Sequence, residues 1–200
     1  MKLIVISNPT SIHSEAQIVN NLFNEGLRYF HLRKPNESEE SVEKLLTQIH
    51  PSFYPNIALH QHHQLASKFG IKRLHFPEHQ RMQTVKDELK IKTSKGFTIS
   101  TSIHQIEDLE QVSFFNHVFY GPVFNSISKK GYESKVPADF ELIKPQNAPN
   151  VIALGGITHQ NLHQIKRMNF DGVALLGFIW QKPENVINQF KTIQSTLKIL

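Results

Sequence analysis

The chain has 200 residues, a length for one domain around a single core, and 39% of them are hydrophobic. Its formal charge of +5 comes from scattered lysines and arginines with no interleaved aromatic platform, so no nucleic-acid partner is expected. There is no cysteine, which excludes disulfides and thiolate metal sites, and no apolar run approaches the roughly 18 residues of a membrane-spanning helix.

In chain order, residues 3–7 read as a first strand, ended by Ser7-Asn8-Pro9, rather than as a secretory signal. A cytoplasmic location is the resulting expectation, with no membrane partner. Residues 29–32 form the second strand, and Asn36 with Glu39 is placed to make a capping box before Val42, Leu45, Leu46 and Ile49. Strands follow at 57–60, 73–76, 97–101 and 117–121. Residues 124–137 lack apolar periodicity and read as a long loop, and a short helix is expected near 138–143. The seventh strand, 151–154, leads to Thr158 as cap of a helix burying Leu162, Ile165 and Met168. The eighth, 172–175, is followed by a helix that starts near Pro183 and buries Val186, Ile187, Phe190, Ile193 and Leu197. Eight strands alternating with helices predict an α/β chain folded as one (β/α)₈ TIM barrel over residues 1–200.

Four constellations on that frame can carry chemistry. Gly155 and Gly156 follow the seventh strand and Gly177-Phe178 the eighth, so two successive strand–helix joints offer backbone N–H groups to a phosphate. Arg33 and Lys34, ending the second strand, are expected to point into the barrel mouth, where a guanidinium and an ammonium neutralise an anion; a solvated rim pair is the plain alternative. Ser126, Ser128 and Lys129 lie on the loop after the sixth strand, either as an anion cradle or as ordinary polar loop residues. Among 12 histidines, His31, His60, His75 and His104 fall at or just beyond strand ends, on the face where barrel enzymes work. His104 suits general acid/base work or capping of a backbone carbonyl. His60 and His62 share one side of an extended segment, but no carboxylate accompanies them, so no metal ligand is assigned. His62, His63, His159 and His163 read as solvated helix residues.

Taken together, these segments resemble the thiamine phosphate synthase / TenI superfamily of compact barrels over nearly the whole chain. The resemblance rests on His31-Leu32-Arg33, Ser102-Ile103-His104, Gly121-Pro122-Val123-Phe124, Ser126-Ile127-Ser128-Lys129, Gly155-Gly156-Ile157 and Asp171-Gly172-Val173. It implies thiamine biosynthesis, with a thiazole phosphate bound at the loops after strands seven and eight and with Arg33, Ser102, Ser126, Ser128, Lys129, Gly155, Gly156, Gly177 and Phe178 as substrate-binding residues. It also implies members that form homo-oligomers. The synthase branch joins a hydroxymethylpyrimidine diphosphate to the thiazole phosphate with Mg2+ held by aspartates; here those positions align with His60-Gln61 and with the neighbourhood of Gln80, leaving Glu78 as the nearby carboxylate. The TenI-like tautomerase branch needs no metal and carries a Lys-Lys-Gly after the sixth strand, as Lys129-Lys130-Gly131 does. Its second site histidine is replaced by Pro122. The resemblance therefore implies metal-independent tautomerase-type chemistry with His104, His31 and His60 as catalytic residues and no cofactor. The synthase, with Mg2+, is the first alternative, and a non-catalytic binder of thiazole or thiamine phosphate the second.

Overall fold

The computed structural model describes residues 1–125, 136–137 and 139–200. Eight parallel strands close in sequence order into a barrel: β1 Lys2–Ile6, β2 Phe30–Leu32, β3 Ile57–Leu59, β4 Arg73–Phe76, β5 Thr98–Ile103, β6 His117–Tyr120, β7 Asn150–Leu154 and β8 Gly172–Leu175. Closure is made by β8 against β1, with Leu3 opposite Val173 and Ile4 opposite Ala174. The expected (β/α)₈ barrel is the observed fold, and all eight expected strands form within a residue or two of their expected limits.

Helices α1 Glu15–Asn24, α2 Glu39–Thr47, α3 Leu65–Phe69, α4 Glu78–Gln83, α5 Lys86–Ser94, α6 Leu162–Arg167, α7 Gly177–Trp180 and α8 Val186–Ile199 connect the strands. The cap of α2 is Ser38, whose hydroxyl accepts from Ser41 N–H, rather than Asn36. Thr158 stands one turn too early to cap α6: its N–H donates to Asn161 Oδ1 at 3.0 Å, and the helix begins after Asn161. Among the described residues no helix forms near 138–143. There the backbone is drawn onto its neighbour instead, with Leu142 N–H donating to Met168 O at 3.0 Å and Asn169 Nδ2 to Leu142 O at 3.1 Å. The stripe of α8 behaves as its spacing requires, with Val186, Phe190 and Ile193 buried and Ile187 and Leu197 packed at its edge. Each fully buried apolar side chain of this kind contributes roughly 1.5–3 kcal/mol.

The barrel separates two cores. The larger lies between strands and helices and takes Val5, Phe30, Leu32, Leu59, Leu74, Val118 and Leu175. The smaller, inside the barrel, contains Ile4, Ile6, Phe119, Ile152 and Ala174. It fills only part of the interior. Strand alternation turns His31, His75, Ser100 and His117 to the same inner side, and all are buried with His60.

Candidate functional site

Two groups of side chains sit on the barrel axis: a buried histidine layer and, above it, the residues at the C-terminal mouth. The layer comes from four strands. His31 Nδ1 and His60 Nε2 lie 3.0 Å apart and share one proton. The His60 and His75 rings stack with centroids 4.0 Å apart, and His31 packs edge-on against Phe119 at 4.9 Å. His31, His60 and His75 are only 2%, 3% and 1% exposed, so they lie within the barrel rather than at the solvent-facing ends expected for them. His75 is held by two hydroxyls, with Nδ1 3.0 Å from Ser100 Oγ and Nε2 3.3 Å from Ser102 Oγ.

Burial holds all of these imidazoles neutral. Desolvation drives His31, His60 and His75 well below the usual histidine range, and neighbouring histidines and arginines push the same way. His117, at the start of β6, falls to about 3 through desolvation, with Lys2 and Arg73 adding to it, and its Nε2 has no hydrogen-bond partner. His117 escaped the sequence reading because it begins a strand rather than ending one.

At the mouth, Arg33 follows β2 and is fixed by reciprocal bonds with Ser7: the Ser7 hydroxyl donates to Arg33 O and Arg33 N–H donates back, both at 2.9 Å. Burial draws the Arg33 guanidinium below its ordinary range. Lys34 does not join it. Alternation sends its side chain outward beneath α1, where Nζ meets Glu15 Oε2 at 2.6 Å and Thr10 O at 2.9 Å, leaving Lys34 1% exposed. The backbone N–H of Lys34 takes Gln61 Oε1 at 3.0 Å.

His104 reaches from the end of β5 to cap the Gly121 carbonyl, Nδ1–O 3.1 Å. That bond places its proton on Nδ1 and leaves Nε2 3.8 Å from Glu78 Oε2, with the His104 side chain 51% exposed. The carbonyl cap and a ring nitrogen facing a carboxylate therefore occur together. Glu78 also faces Arg81 Nη2 at 3.5 Å.

The glycine joint behaves differently from a simple anion turn. Gly155 and Gly156 have φ of +97° and +65°, and a Cβ on Gly156 would meet Asn125 O at 2.5 Å and Phe124 Cβ at 2.6 Å. The glycines thus let the segment after β6 lie directly on the segment after β7, where Phe124 N–H donates to Gly155 O at 3.2 Å. Gly177 and Phe178 open α7, so their N–H groups have no acceptor within that helix. Phe178 lies against the His159 ring at 5.8 Å. Ser126, Ser128 and Lys129 lie outside the described residues.

The remaining histidines depart from the solvated-helix expectation in part. His62 adopts φ of +52° and places Nε2 3.0 Å from Glu37 O, while His60 Nε2 meets His31. His63 is half-buried, with Nε2 3.1 Å from both Leu59 O and His75 O.

A closed barrel of eight parallel strands, with Arg33, the His104–Glu78 pair and the glycine joints after β7 and β8, defines the class of single-domain (β/α)₈ barrel proteins. The particular family follows from comparison. The thiamine monophosphate synthase family matches residues 3–179, and the chain belongs to it. A thiamine-phosphate synthase of Staphylococcus saprophyticus is 26% identical over 209 aligned positions, covering 94% of this chain and 92% of that protein. Among solved structures, a thiamine phosphate pyrophosphorylase from Bacteroides thetaiotaomicron superposes with a TM-score of 0.76 at 26% identity, covering 100% of this chain and 98% of the other. One from Pyrococcus furiosus has a TM-score of 0.75 at 16% identity, with 98% and 95% covered, a likeness of fold. These names favour the synthase branch over the tautomerase branch. No helix among the described residues is long and apolar enough to cross a membrane.

Proposed function

We propose that the chain is a thiamine-pathway transferase that joins a hydroxymethylpyrimidine diphosphate to a thiazole phosphate, releasing pyrophosphate. The observation that carries this reading is full-length likeness to two proteins named for that activity at 26% identity. In the reaction the methylene C–O bond breaks with its electron pair leaving on pyrophosphate, and the thiazole nitrogen lone pair makes the new C–N bond. No proton need move. The thiazole phosphate is assigned to the N–H groups around Gly155, Gly156, Gly177 and Phe178, with Ser126, Ser128 and Lys129 from the neighbouring loop. Arg33, already desolvated, is assigned to the departing pyrophosphate.

The Mg2+ associated with such synthases does not fit the side chains here. His60 is turned into the barrel, Gln61 is bonded to Lys34 N–H, and Glu78 is shared between Arg81 and His104. One carboxylate among nitrogen and amide ligands is a poor seat for a hard, oxygen-seeking ion. Charge neutralisation therefore falls to Arg33 and its neighbours in this reading, and a cytoplasmic enzyme that does not depend on Mg2+ is the form proposed.

A second reading has its own observation. The His104 Nε2 beside Glu78 is a ready proton carrier at the mouth, which suits tautomerisation of a thiazole carboxylate phosphate. Incubating the purified protein with both synthase substrates, with and without Mg2+, separates the two. Thiamine phosphate formation supports the transferase. Its absence, with proton exchange on the thiazole that disappears in His104→Ala, supports the tautomerase; phosphate-ligand binding with neither reaction leaves a binder.

A further inference from the structure

We propose that His31, His60 and His75 form a site for a borderline divalent transition ion of the Zn2+ class inside the barrel, beneath the mouth. One ring nitrogen from each lies within 4.8 Å of the other two, and all three side chains are buried. Three imidazoles select Zn2+, Co2+ or Cu2+ over Mg2+, since nitrogen ligands suit borderline ions.

The hydrogen bonding assigns the ligand atom of His75. Ser100 Oγ donates to Leu74 O at 3.4 Å, so it accepts from His75 Nδ1–H at 3.0 Å, and the unprotonated Nε2 accepts from the Ser102 hydroxyl at 3.3 Å, a contact that an ion on Nε2 replaces. A ligating histidine whose other nitrogen donates to a fixed oxygen is the usual second layer of a metal centre. His63 adds to this by donating to the His75 carbonyl at 3.1 Å. His31 Nδ1 and His60 Nε2, now 3.0 Å apart around one proton, need about 3.3 Å to bind one tetrahedral ion with metal–nitrogen bonds near 2.0–2.1 Å. The shared proton moves to the outer nitrogen of its own ring. Among the described residues the hydrogen bond of the His31 and His60 rings is the one between them, so the move costs that bond and no other. All three rings are neutral, the form that binds metal, so no proton has to be expelled.

Charge fixes the rest of the shell. Arg33 bears on His60 and His75, and Arg73 on His31, so a dication here has cationic neighbours and, among the described residues, no carboxylate in its ligand group. The fourth ligand is therefore an anionic oxygen, hydroxide in the absence of substrate. Such a centre stands independently of the reaction proposed above, because it rests on the histidines alone.

Tag-free protein, stripped with a chelator and returned to neutral buffer without substrate, is titrated with Zn2+ by calorimetry, with Mg2+ in parallel and Co2+ as a spectroscopic stand-in. The expected result is one Zn2+ per chain, no Mg2+ heat, and a tetrahedral-type visible Co2+ band. His75→Ala is expected to weaken Zn2+ binding at least 100-fold. Ser100→Ala, which leaves every ligand in place, is expected to weaken it about 10–100-fold. Circular dichroism checks that each variant is folded. If His75→Ala does not fold, Ser100→Ala and the wild-type Co2+ band decide. An absence of stoichiometric Zn2+ binding, a weak octahedral-type Co2+ spectrum, or Zn2+ binding lost in His62→Ala but kept in Ser100→Ala overturns the proposal.

Discussion

Lowering the pH from 7.5 to 5.5 tests the buried histidine layer directly. Four imidazoles, His31, His60, His75 and His117, are held below their ordinary range by desolvation. In the unfolded chain each titrates near 6.5. A histidine depressed on folding binds fewer protons in the native state, so its effect is nil above about pH 6.5 and grows as pH falls, until the folded pKa is reached. For His117 that floor is about 3. At pH 5.5 the unfolded state gains about 1.4 kcal/mol per histidine, or about 6 kcal/mol for four that stay neutral in the folded state. Against a total stability of about 5–15 kcal/mol, this brings the acid midpoint into the range of about pH 4–5.6. Glu15, whose carboxyl burial pushes up, works in the opposite direction and softens the slope. Urea unfolding of chelator-treated protein, followed by the fluorescence of the buried Trp180, measures the free energy at each pH. His117→Leu removes one titrating group and an unpartnered nitrogen, so it should recover about 1.4 kcal/mol of the loss at pH 5.5. An unfolding free energy that stays level between pH 7.5 and 5.5 would refute neutral burial of the layer.

The Lys34–Glu15 pair predicts that Lys34→Met costs about 3–5 kcal/mol in urea unfolding, by stranding a buried carboxylate whose Oε1 is already unpartnered. Adding Glu15→Leu should return most of that loss. Gly156→Ala, forced to φ of +65° with its Cβ against Asn125 O, should raise the Kd for thiazole phosphate at least tenfold by calorimetry, because it separates the loops after β6 and β7. Arg33→Gln should lower kcat/KM for thiamine phosphate formation by about 100-fold, read by product chromatography, while leaving thiazole phosphate affinity within about threefold. Equal losses in both quantities would move Arg33 to the thiazole phosphate instead.

The fold was legible because the chain repeats one unit. Short apolar runs separated by 3.6-periodic segments describe parallel strands under helices, and a count of eight closes the sheet. The helix starts were less legible. Asn36, Ser38 and Glu39 all carry capping chemistry, and only the turn that placed Ser38 Oγ at Ser41 N–H chose among them. The glycine joints were visible as motifs, but the close approach of Phe124 and Asn125 to Gly156 depends on a neighbouring loop remote in sequence. For His104 the carbonyl cap is the role the structure shows, with Nδ1 3.1 Å from Gly121 O, because only the fold brings the end of β5 beside that carbonyl.

What the sequence determined by itself was the barrel, its order and the family, since these follow from local periodicity and from motifs that sit within a few residues. What tertiary structure alone decided was which side of each strand faces the axis. A strand in a closed parallel barrel is buried on both sides, so its apolar run carries no record of which alternate residues turn inward. Closure gave Arg33 to the mouth and Lys34 to Glu15, one residue apart and on opposite sides of the sheet. The same closure brought His31, His60, His75 and His117, on or just after four separate strands, into one buried interior, where burial rather than any neighbour in the sequence sets their charge.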